Sequence, residues 1–238
     1  MRRMRLGALM LLIGLAPAMA EVATVRGRVE LVSAGKARHP RPPVAVVWLT
    51  PVTGPSSDPP AVPAPGGLRL VQRHKSFEPH VLVVPAGASV EFPNHDPFFH
   101  NVFSLFEGKR FDLGLYEAGT SRMVRFDRPG VSYIFCNIHP EMSAVVITLD
   151  SRWYAVSKGD GQLSIADVPY GRYMLHIWSE GMGPDSKENA REVTIGEDAS
   201  LGLIRVPADS GDHVAHKNKY GRDYDAPVPD SSVYQRQR

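Results

Sequence analysis

The segment FEPHVLVVPAGASVEFPNHDPFFHNVFS, residues 77–104, decides the fold class. It contains three short runs rich in β-branched and aromatic residues, separated by the turn-forming stretches PAGA and NHDPF. Similar runs follow at close spacing, namely RMVRF (122–126), SYIFC (132–136) and AVVITLD (144–150). There is little helical periodicity in this region. The pattern predicts an all-β chain that folds as a sandwich or barrel.

The first twenty residues have the composition of a secretory signal peptide. Three arginines precede the apolar run LGALMLLIGLA, and Ala18 and Ala20 form a small-x-small cleavage pattern. We expect cleavage after Ala20, export to the periplasm and a mature chain without a membrane span. Because three of the 27 basic residues lie in this segment, the mature chain has 24 basic against 25 acidic residues. Its charge therefore gives no reason to expect nucleic acid as a partner.

Changes in composition divide the mature chain into five parts. Residues 21–51 contain two strand-like runs, and residues 52–67 form a linker rich in proline, glycine and serine. We expect residues 68–149 to form the central domain. Residues 150–206 contain a second group of alternating strands, whereas residues 207–238 are polar without an apolar period. We expect this last part to be a loosely ordered tail.

The segment FCNIHPEM, residues 135–142, contains the only cysteine of the chain. Cys136, His139 and Met142 follow one another with the spacing C-x2-H-x2-M, and Cys136 has no cysteine partner for a disulfide. A thiolate, imidazoles and a weak axial thioether are the ligands of a blue-copper site. We therefore expect one copper ion here. Zinc is a weaker candidate, because zinc sites rarely use a thioether.

A second histidine ligand is expected upstream of Cys136. His74, His80, His95 and His100 are the candidates, and we choose His100 with His95 in reserve. His100 begins a predicted strand after a turn, so it should lie at the same end of the sandwich as the 136–142 loop. We expect Asn101 to hydrogen-bond across to that loop and support the site. Phe98, Phe99 and Phe135 should then limit the access of water to the site.

Residues 68–149 resemble a cupredoxin, on the strength of residues 77–104 and of FCNIHPEM. The C-x2-H-x2-M spacing resembles that of amicyanin. The resemblance implies a Greek-key sandwich and copper ligands at His100, Cys136, His139 and Met142. It also implies a single-electron carrier in which His139 passes electrons at the solvent edge. Asn137 departs from the Ser or Thr usual in relatives, so hydrogen bonding near the sulfur should differ.

The implied partners are periplasmic redox proteins, either a dehydrogenase or a c-type cytochrome. Amicyanin-like spacing points to methylamine utilisation. The main alternative is a copper-binding or copper-delivery protein without an electron-transfer role. A copper enzyme is less expected, since only His213 and His216 could form a further cluster. An adhesive sandwich with a vestigial loop is the remaining alternative, and we expect a protein that is not an enzyme.

Residues 22–51 and 150–206 resemble two halves of the carboxypeptidase regulatory-like, transthyretin-like sandwich. VRGRVEL and VAVVWLTP look like its opening, and DGQLSI with VPYGRYML looks like its later hairpin. Neither half has enough strands to close a sandwich alone. We expect a second, small β-sandwich that is discontinuous, with the cupredoxin inserted into it. The alternative makes residues 22–51 extra strands of the cupredoxin.

Overall fold

The computed structural model describes residues 21–32, 44–53, 67–105, 108–179, 189–207 and 217–224. These residues contain strands and turns and no helix, which confirms the prediction of an all-β chain. None of the described residues forms a helix long and apolar enough to cross a membrane. The predicted signal peptide lies outside the described residues, as does nearly all of the predicted linker.

Sixteen strands follow one another along the described part of the chain. Their bounds are β1 Val22–Val32, β2 Ala45–Pro51, β3 Val71–Arg73, β4 Ser76–Glu78, β5 Val81–Pro85, β6 Ala88–Pro93, β7 His100–Ser104, β8 Phe111–Tyr116, β9 Ser121–Phe126, β10 Gly130–Cys136, β11 Ser143–Leu149, β12 Tyr154–Val156, β13 Gln162–Pro169, β14 Gly171–Ser179, β15 Asn189–Ile195 and β16 Ser200–Pro207.

Strands β3 to β11 form a sandwich that we call the central sandwich. One layer is a five-stranded sheet in the order β5-β11-β10-β7-β8, and its crossover connections are of the kind found in Greek-key folds. The opposite layer contains the β6-β9 and β3-β4 pairs, which isolated bridges at Arg69–Glu91 and Gln72–Asn94 connect. Aromatic and aliphatic side chains fill the space between the layers, among them Phe92, Phe126 and Val146.

The remaining strands form what we call the outer sandwich. Its sheets have the orders β13-β1-β16 and β12-β2-β14-β15. Strand β1 pairs antiparallel with β13 and parallel with β16, whereas β2 pairs with β12 and β14. The two N-terminal strands therefore hydrogen-bond with strands that begin at residue 154 or later. Residues from all of these strands share one buried core, which includes Val25, Leu49 and Leu175.

A third apolar layer joins the two sandwiches. Trp48 and Trp178, from β2 and β14, pack with Val145 and Ile147 of β11. Alternation along β11 makes this contact, because neighbouring residues of a strand point to opposite faces. Val146 therefore faces the core of the central sandwich, while Val145 and Ile147 face the outer one. Trp178 also donates a hydrogen bond from Nε1 to the hydroxyl of Tyr133 on β10, at 3.4 Å.

Residues 217–224, which we call the C-terminal segment, differ from the expectation for the tail. They form a compact turn around Asn218, whose side-chain oxygen accepts hydrogen bonds from the amides of Tyr220 and Arg222. The segment lies against the end of the central sandwich that carries Cys136. Polar composition did not indicate this, because the segment is held by hydrogen bonds and not by apolar burial.

Candidate metal centre

Two neighbouring strands bring His100 and Cys136 to the same end of the five-stranded sheet. Cys136 is the last residue of β10 and lies opposite Val102 of β7, whose first residue is His100. Both strands alternate so that His100 and Cys136 point into the central sandwich, as Val102 and Ile134 do. Both side chains are fully buried.

A tight loop brings the third residue to this position. The amide of Cys136 donates to the carbonyl of Met142 at 3.2 Å, and the amide of Met142 donates to the carbonyl of His139 at 3.1 Å. The loop therefore turns back on itself within six residues before β11 begins at Ser143. This closure places the His139 ring beside the Cys136 sulfur.

Three atoms converge at this point, and we call them the donor triangle: Sγ of Cys136, Nδ1 of His100 and Nδ1 of His139. The sulfur lies 3.6 Å from the His100 nitrogen and 3.5 Å from the His139 nitrogen, and the nitrogens are 3.2 Å apart. A point equidistant from the three atoms, in their plane, lies about 2.0 Å from each, close to ordinary metal–imidazole distances. The group can therefore hold one metal ion.

Asp96 fixes the tautomer of His100. Its buried carboxylate accepts a hydrogen bond from Nε2 of His100 at 2.8 Å. It also accepts hydrogen bonds from the main-chain amides of His74 and Lys75. Burial raises the pKa of Asp96, but these hydrogen bonds outweigh burial and hold the pKa below its usual value. Because the carboxylate is ionised, Nε2 must carry the proton, and Nδ1 is left with a free lone pair towards the triangle.

Burial also sets the charges of the three donors. Burial, with a smaller contribution from the neighbouring His100, lowers the pKa of His139 to about 4. Burial lowers the pKa of His100 more than Asp96 raises it, so both rings are neutral at pH 7. Burial raises the pKa of the Cys136 thiol, although the amides of Ile138, Asn101 and His139 donate towards the sulfur and offset part of this effect. Neutral imidazoles are the form that binds metals.

The two asparagines predicted to support the site make different contacts from those expected. The Asn101 side chain does not reach the loop and donates instead to Asp112 at 2.7 Å and to the carbonyl of Gly114 at 3.1 Å. Its main-chain carbonyl makes the connection across, accepting from the Asn137 amide at 2.8 Å. The Asn137 side chain points to the C-terminal segment and accepts from the Lys219 amide at 2.9 Å.

The aromatic residues differ in their relation to the triangle. The half-buried Phe98 ring lies 5.3 Å from the His100 ring and 5.5 Å from the His139 ring, measured between centroids. Phe99 is exposed. Phe135 packs against Phe103 instead of facing the triangle, because it precedes Cys136 in the strand and therefore points to the opposite face. Phe135 was thus wrongly expected to shield the site.

The reserve ligand His95 and the expected axial ligand Met142 lie in different surroundings. The exposed His95 ring contacts the guanidinium of Arg73 at 3.0 Å, outside the triangle. Met142 is fully buried in the same apolar cluster as Cys136. Its role as the axial ligand stays a prediction.

Sequence reasoning missed two contributors to this centre, Asp96 and the C-terminal segment. A signal for Asp96 exists, since it stands four residues before His100 in a turn, where a carboxylate can reach an imidazole. The pattern KNKYGRDYD, residues 217–225, carries no comparable signal, because its contacts with the 136–142 loop are distant in sequence.

Neither a protein family nor a curated protein sequence matches the chain. Solved structures are similar to part of it. A purple cupredoxin from Nitrosopumilus maritimus is 22% identical; the alignment covers 34% of this chain and 99% of that one, with a TM-score of 0.32. A variant of amicyanin in its reduced Cu(I) form is 20% identical, with coverages of 39% and 94% and a TM-score of 0.34.

The Cu-containing nitrite reductase from Thermus scotoductus SA-01 is also similar to part of the chain. It is 24% identical, and the alignment covers 42% of this chain at a TM-score of 0.34. The chain spans 25% of the length of that enzyme. In each of these three comparisons the likeness extends over less than half of this chain.

Proposed function

We propose that this protein is an exported blue-copper protein of the cupredoxin type, which carries single electrons between periplasmic redox partners. The observation that carries the proposal is the donor triangle, in which one thiol and two imidazole nitrogens lie 3.2–3.6 Å apart. A bound copper ion would supply a centre that alternates between Cu(I) and Cu(II). His100, Cys136 and His139 are the proposed equatorial ligands, and Met142 the axial one.

The chemistry of the donor set favours copper over zinc. One soft thiolate and two imidazoles in a plane, with a thioether nearby, are typical of electron-transfer copper sites. Structural zinc sites use four strong ligands in a tetrahedron, and a buried methionine would contribute little to one. The described residues contain no other group of three histidine, cysteine or acidic side chains with converging donor atoms. We therefore propose one copper ion, held by this group.

The surroundings of the triangle suit rapid electron exchange. Asp96 keeps the His100 nitrogen oriented, and the hydrogen bonds within the loop hold His139 near Cys136. Burial of His100, Cys136 and Met142 keeps bulk water away from the donors. A rigid, dry set of ligands rearranges little when the charge at its centre changes.

Location and partners follow from the sequence. A signal-peptide-like N-terminus supports export to the periplasm, where a dehydrogenase or a c-type cytochrome would exchange electrons with the protein. We propose the edge of His139 as the point of exchange, because its side chain is less deeply buried than that of His100. A role in methylamine utilisation is the narrowest form of this proposal and rests on the C-x2-H-x2-M spacing alone.

The first test is the visible and EPR spectrum of the mature protein with one equivalent of Cu(II). We expect an intense blue or purple band with narrow parallel hyperfine splitting, both lost reversibly on reduction. An ordinary copper EPR signal from a colourless protein would contradict the proposal. If the bound metal instead passes readily to a competing apoprotein while no electron exchange with cytochrome c is measurable, delivery would replace electron transfer as the function.

A set of single substitutions tests the ligands. Cys136→Ser should abolish the intense band and leave the β-sheet circular dichroism unchanged. His100→Ala should remove or alter the band, whereas His95→Ala serves as its control because His95 is exposed and contacts Arg73. Loss of the band in the His95 variant with retention in the His100 variant would remove His100 from the site.

A further inference from the structure

The C-terminal segment contacts the ligand loop at two points and strand β8 at a third. The Lys219 amide donates to the Asn137 side chain at 2.9 Å, and the Tyr224 hydroxyl donates to the Cys136 carbonyl at 2.9 Å. The Lys219 ammonium pairs with the Asp112 carboxylate at 2.8 Å. Two of these contacts therefore involve Cys136 or the residue directly after it, although the sequence separates the partners by more than 80 residues.

These contacts continue into the strand that carries His100. Asp112, which holds Lys219, also accepts a hydrogen bond from the Asn101 side chain at 2.7 Å. The Asn101 carbonyl in turn accepts from the Asn137 amide at 2.8 Å. A closed ring of hydrogen bonds thus joins the C-terminal segment, the ligand loop and strands β7 and β8. The ring includes the residues that directly follow His100 and Cys136.

The segment is built to present these groups. Besides the two amides held by the Asn218 side chain, the Gly221 amide donates to the Asn218 carbonyl at 2.9 Å and the Asn218 amide to the Arg222 carbonyl at 2.8 Å. These local hydrogen bonds fix the turn, which contains Lys219 and is followed closely by Tyr224. The Lys219 side chain is 18% exposed in its pair with Asp112. A turn ordered in this way loses little additional entropy when it docks.

We propose that the C-terminal segment completes the candidate metal centre, with two positioning residues: Tyr224 holds the main chain of Cys136, and Lys219 holds the side chain of Asn137. This inference rests on the proposed function of the donor triangle. Cys136 ends β10, so its carbonyl accepts from Tyr224 at the point where the regular ladder stops. Without the segment, water would replace these donors and the loop would open more often.

Hydrogen exchange of the metal-free protein tests the positioning directly. The amides of Cys136 and Asn137 are hydrogen-bonded to Met142 and Asn101, so their exchange reports opening of the loop. Tyr224→Phe removes one hydroxyl and keeps the ring. We expect about 3- to 10-fold faster exchange at both amides, the effect of losing one hydrogen bond. The amide of Leu175, in the core of the outer sandwich, should exchange at an unchanged rate.

Tyr170→Phe is the matched control, because it also removes one hydroxyl and Tyr170 is a 38% exposed residue of the outer sandwich, between β13 and β14. It should leave the exchange of Cys136 and Asn137 unchanged. If Tyr224→Phe also leaves both amides unchanged, or accelerates Leu175 by the same factor, Tyr224 is not a positioning residue. A global acceleration would indicate a general contribution to stability and would overturn the inference.

Two truncated chains extend the test to the whole segment. A chain that ends after residue 216 lacks the segment, whereas one that ends after residue 224 keeps it. We expect the shorter chain alone to show faster loop exchange and, when loaded with copper, a shifted absorption band and faster loss of the metal to a chelator. Identical exchange and spectra in the two chains would overturn the inference. The exchange readout needs no metal, so a colourless full-length protein would contradict the proposed function separately.

Discussion

The carboxylate of Asp96 decides which nitrogen of His100 is available to a metal. Asp96→Asn replaces one of its oxygens by an NH2 group. This donor would face another donor, the main-chain amide of Lys75 or His74. We expect the free energy of unfolding to fall by about 1–3 kcal/mol. Metal affinity should fall about 10- to 100-fold, as for other partners of ligating histidines. Chemical unfolding and competition with a Cu(I) chelator measure the two effects.

A matched control separates these effects from a general change of charge. Glu78 is an exposed acid that pairs with Arg73, and no contact joins it to His100. Glu78→Gln removes the same charge and should change unfolding by less than about 1 kcal/mol. If the Asp96 variant binds the metal as tightly as the unaltered protein does, this carboxylate does not orient His100.

The pKa of His139 predicts how the stability of the metal-free protein depends on pH. In the unfolded chain the ring has a pKa near 6.5, whereas burial lowers the pKa to about 4 in the folded protein. Between these values the unfolded chain binds more protons, so stability should fall as the pH falls from about 6.5 to 4. His100 acts in the same direction. Partial solvent screening limits the contribution of His139 to about 2 kcal/mol.

Urea unfolding at pH 7 and pH 4.5 measures this loss. His139→Gln removes the titrating group and should flatten the dependence. A pH dependence of the same size in the His139 variant would assign the loss to other groups.

At the scale of single elements, sequence patterns located most strands of the central sandwich. The alternating apolar runs correspond to β5, β6, β7, β9, β10 and β11 within a few residues. Strands β4 and β8 were missed. Strand β4 has three residues, too few to show a period, and β8, FDLGLY, has a glycine in its middle and mixed burial. Backbone pairing with β7 forms this strand, and Phe111 and Leu113 pack against the core of the central sandwich.

The candidate site was predictable to a similar extent. Strand alternation and the C-x2-H-x2-M spacing were sufficient to bring Cys136, His139 and His100 together. The contacts of Asn101 and Asn137 were not predictable, since their partners, Asp112 and Lys219, are polar residues on elements that the sequence patterns did not identify. Sequence patterns reveal which side chains are buried more readily than which distant polar groups pair.

The turn before β13 provides a prediction at the element scale. Gly161 has a φ of +80°, and an added Cβ would overlap the carbonyl oxygen of Val29 on β1. Gly202 has a φ of +63°, but a Cβ there would meet no atom within 4 Å. Gly202→Ala should therefore cost about 1 kcal/mol from backbone strain, and Gly161→Ala at least about 2 kcal/mol. Thermal and urea unfolding compare the two variants, and equal losses would contradict this argument.

At the scale of the molecule, the outer sandwich covers a face of the central one that would otherwise be exposed to water. Val145, Ile147 and Leu149 of β11 are buried in this layer with Trp48 and Trp178. A fragment of residues 67–150 would expose these side chains. We expect it to be folded but prone to association, since large exposed apolar patches promote aggregation. Size-exclusion chromatography against concentration measures this.

Polar substitution identifies the cause of that association. Val145→Thr and Ile147→Thr together should keep the fragment monomeric, because both residues face the joining layer and not the core of the central sandwich. Val146→Thr, which faces that core, should instead lower stability without preventing association. A fragment that stays monomeric without substitutions would show that the covered face does not drive association.

The position of β1 has a consequence for the order of folding. This strand lies between β13 and β16, so its two neighbours are made about 135 to 175 residues after it. Pairs so distant in sequence form slowly when the intervening chain is unstructured. If the contiguous central sandwich folds first, it brings β2 and β12 together. The loop that must close to pair β1 with its partners is then shorter. During synthesis, β1 therefore has neither of its partner strands until β13 has emerged.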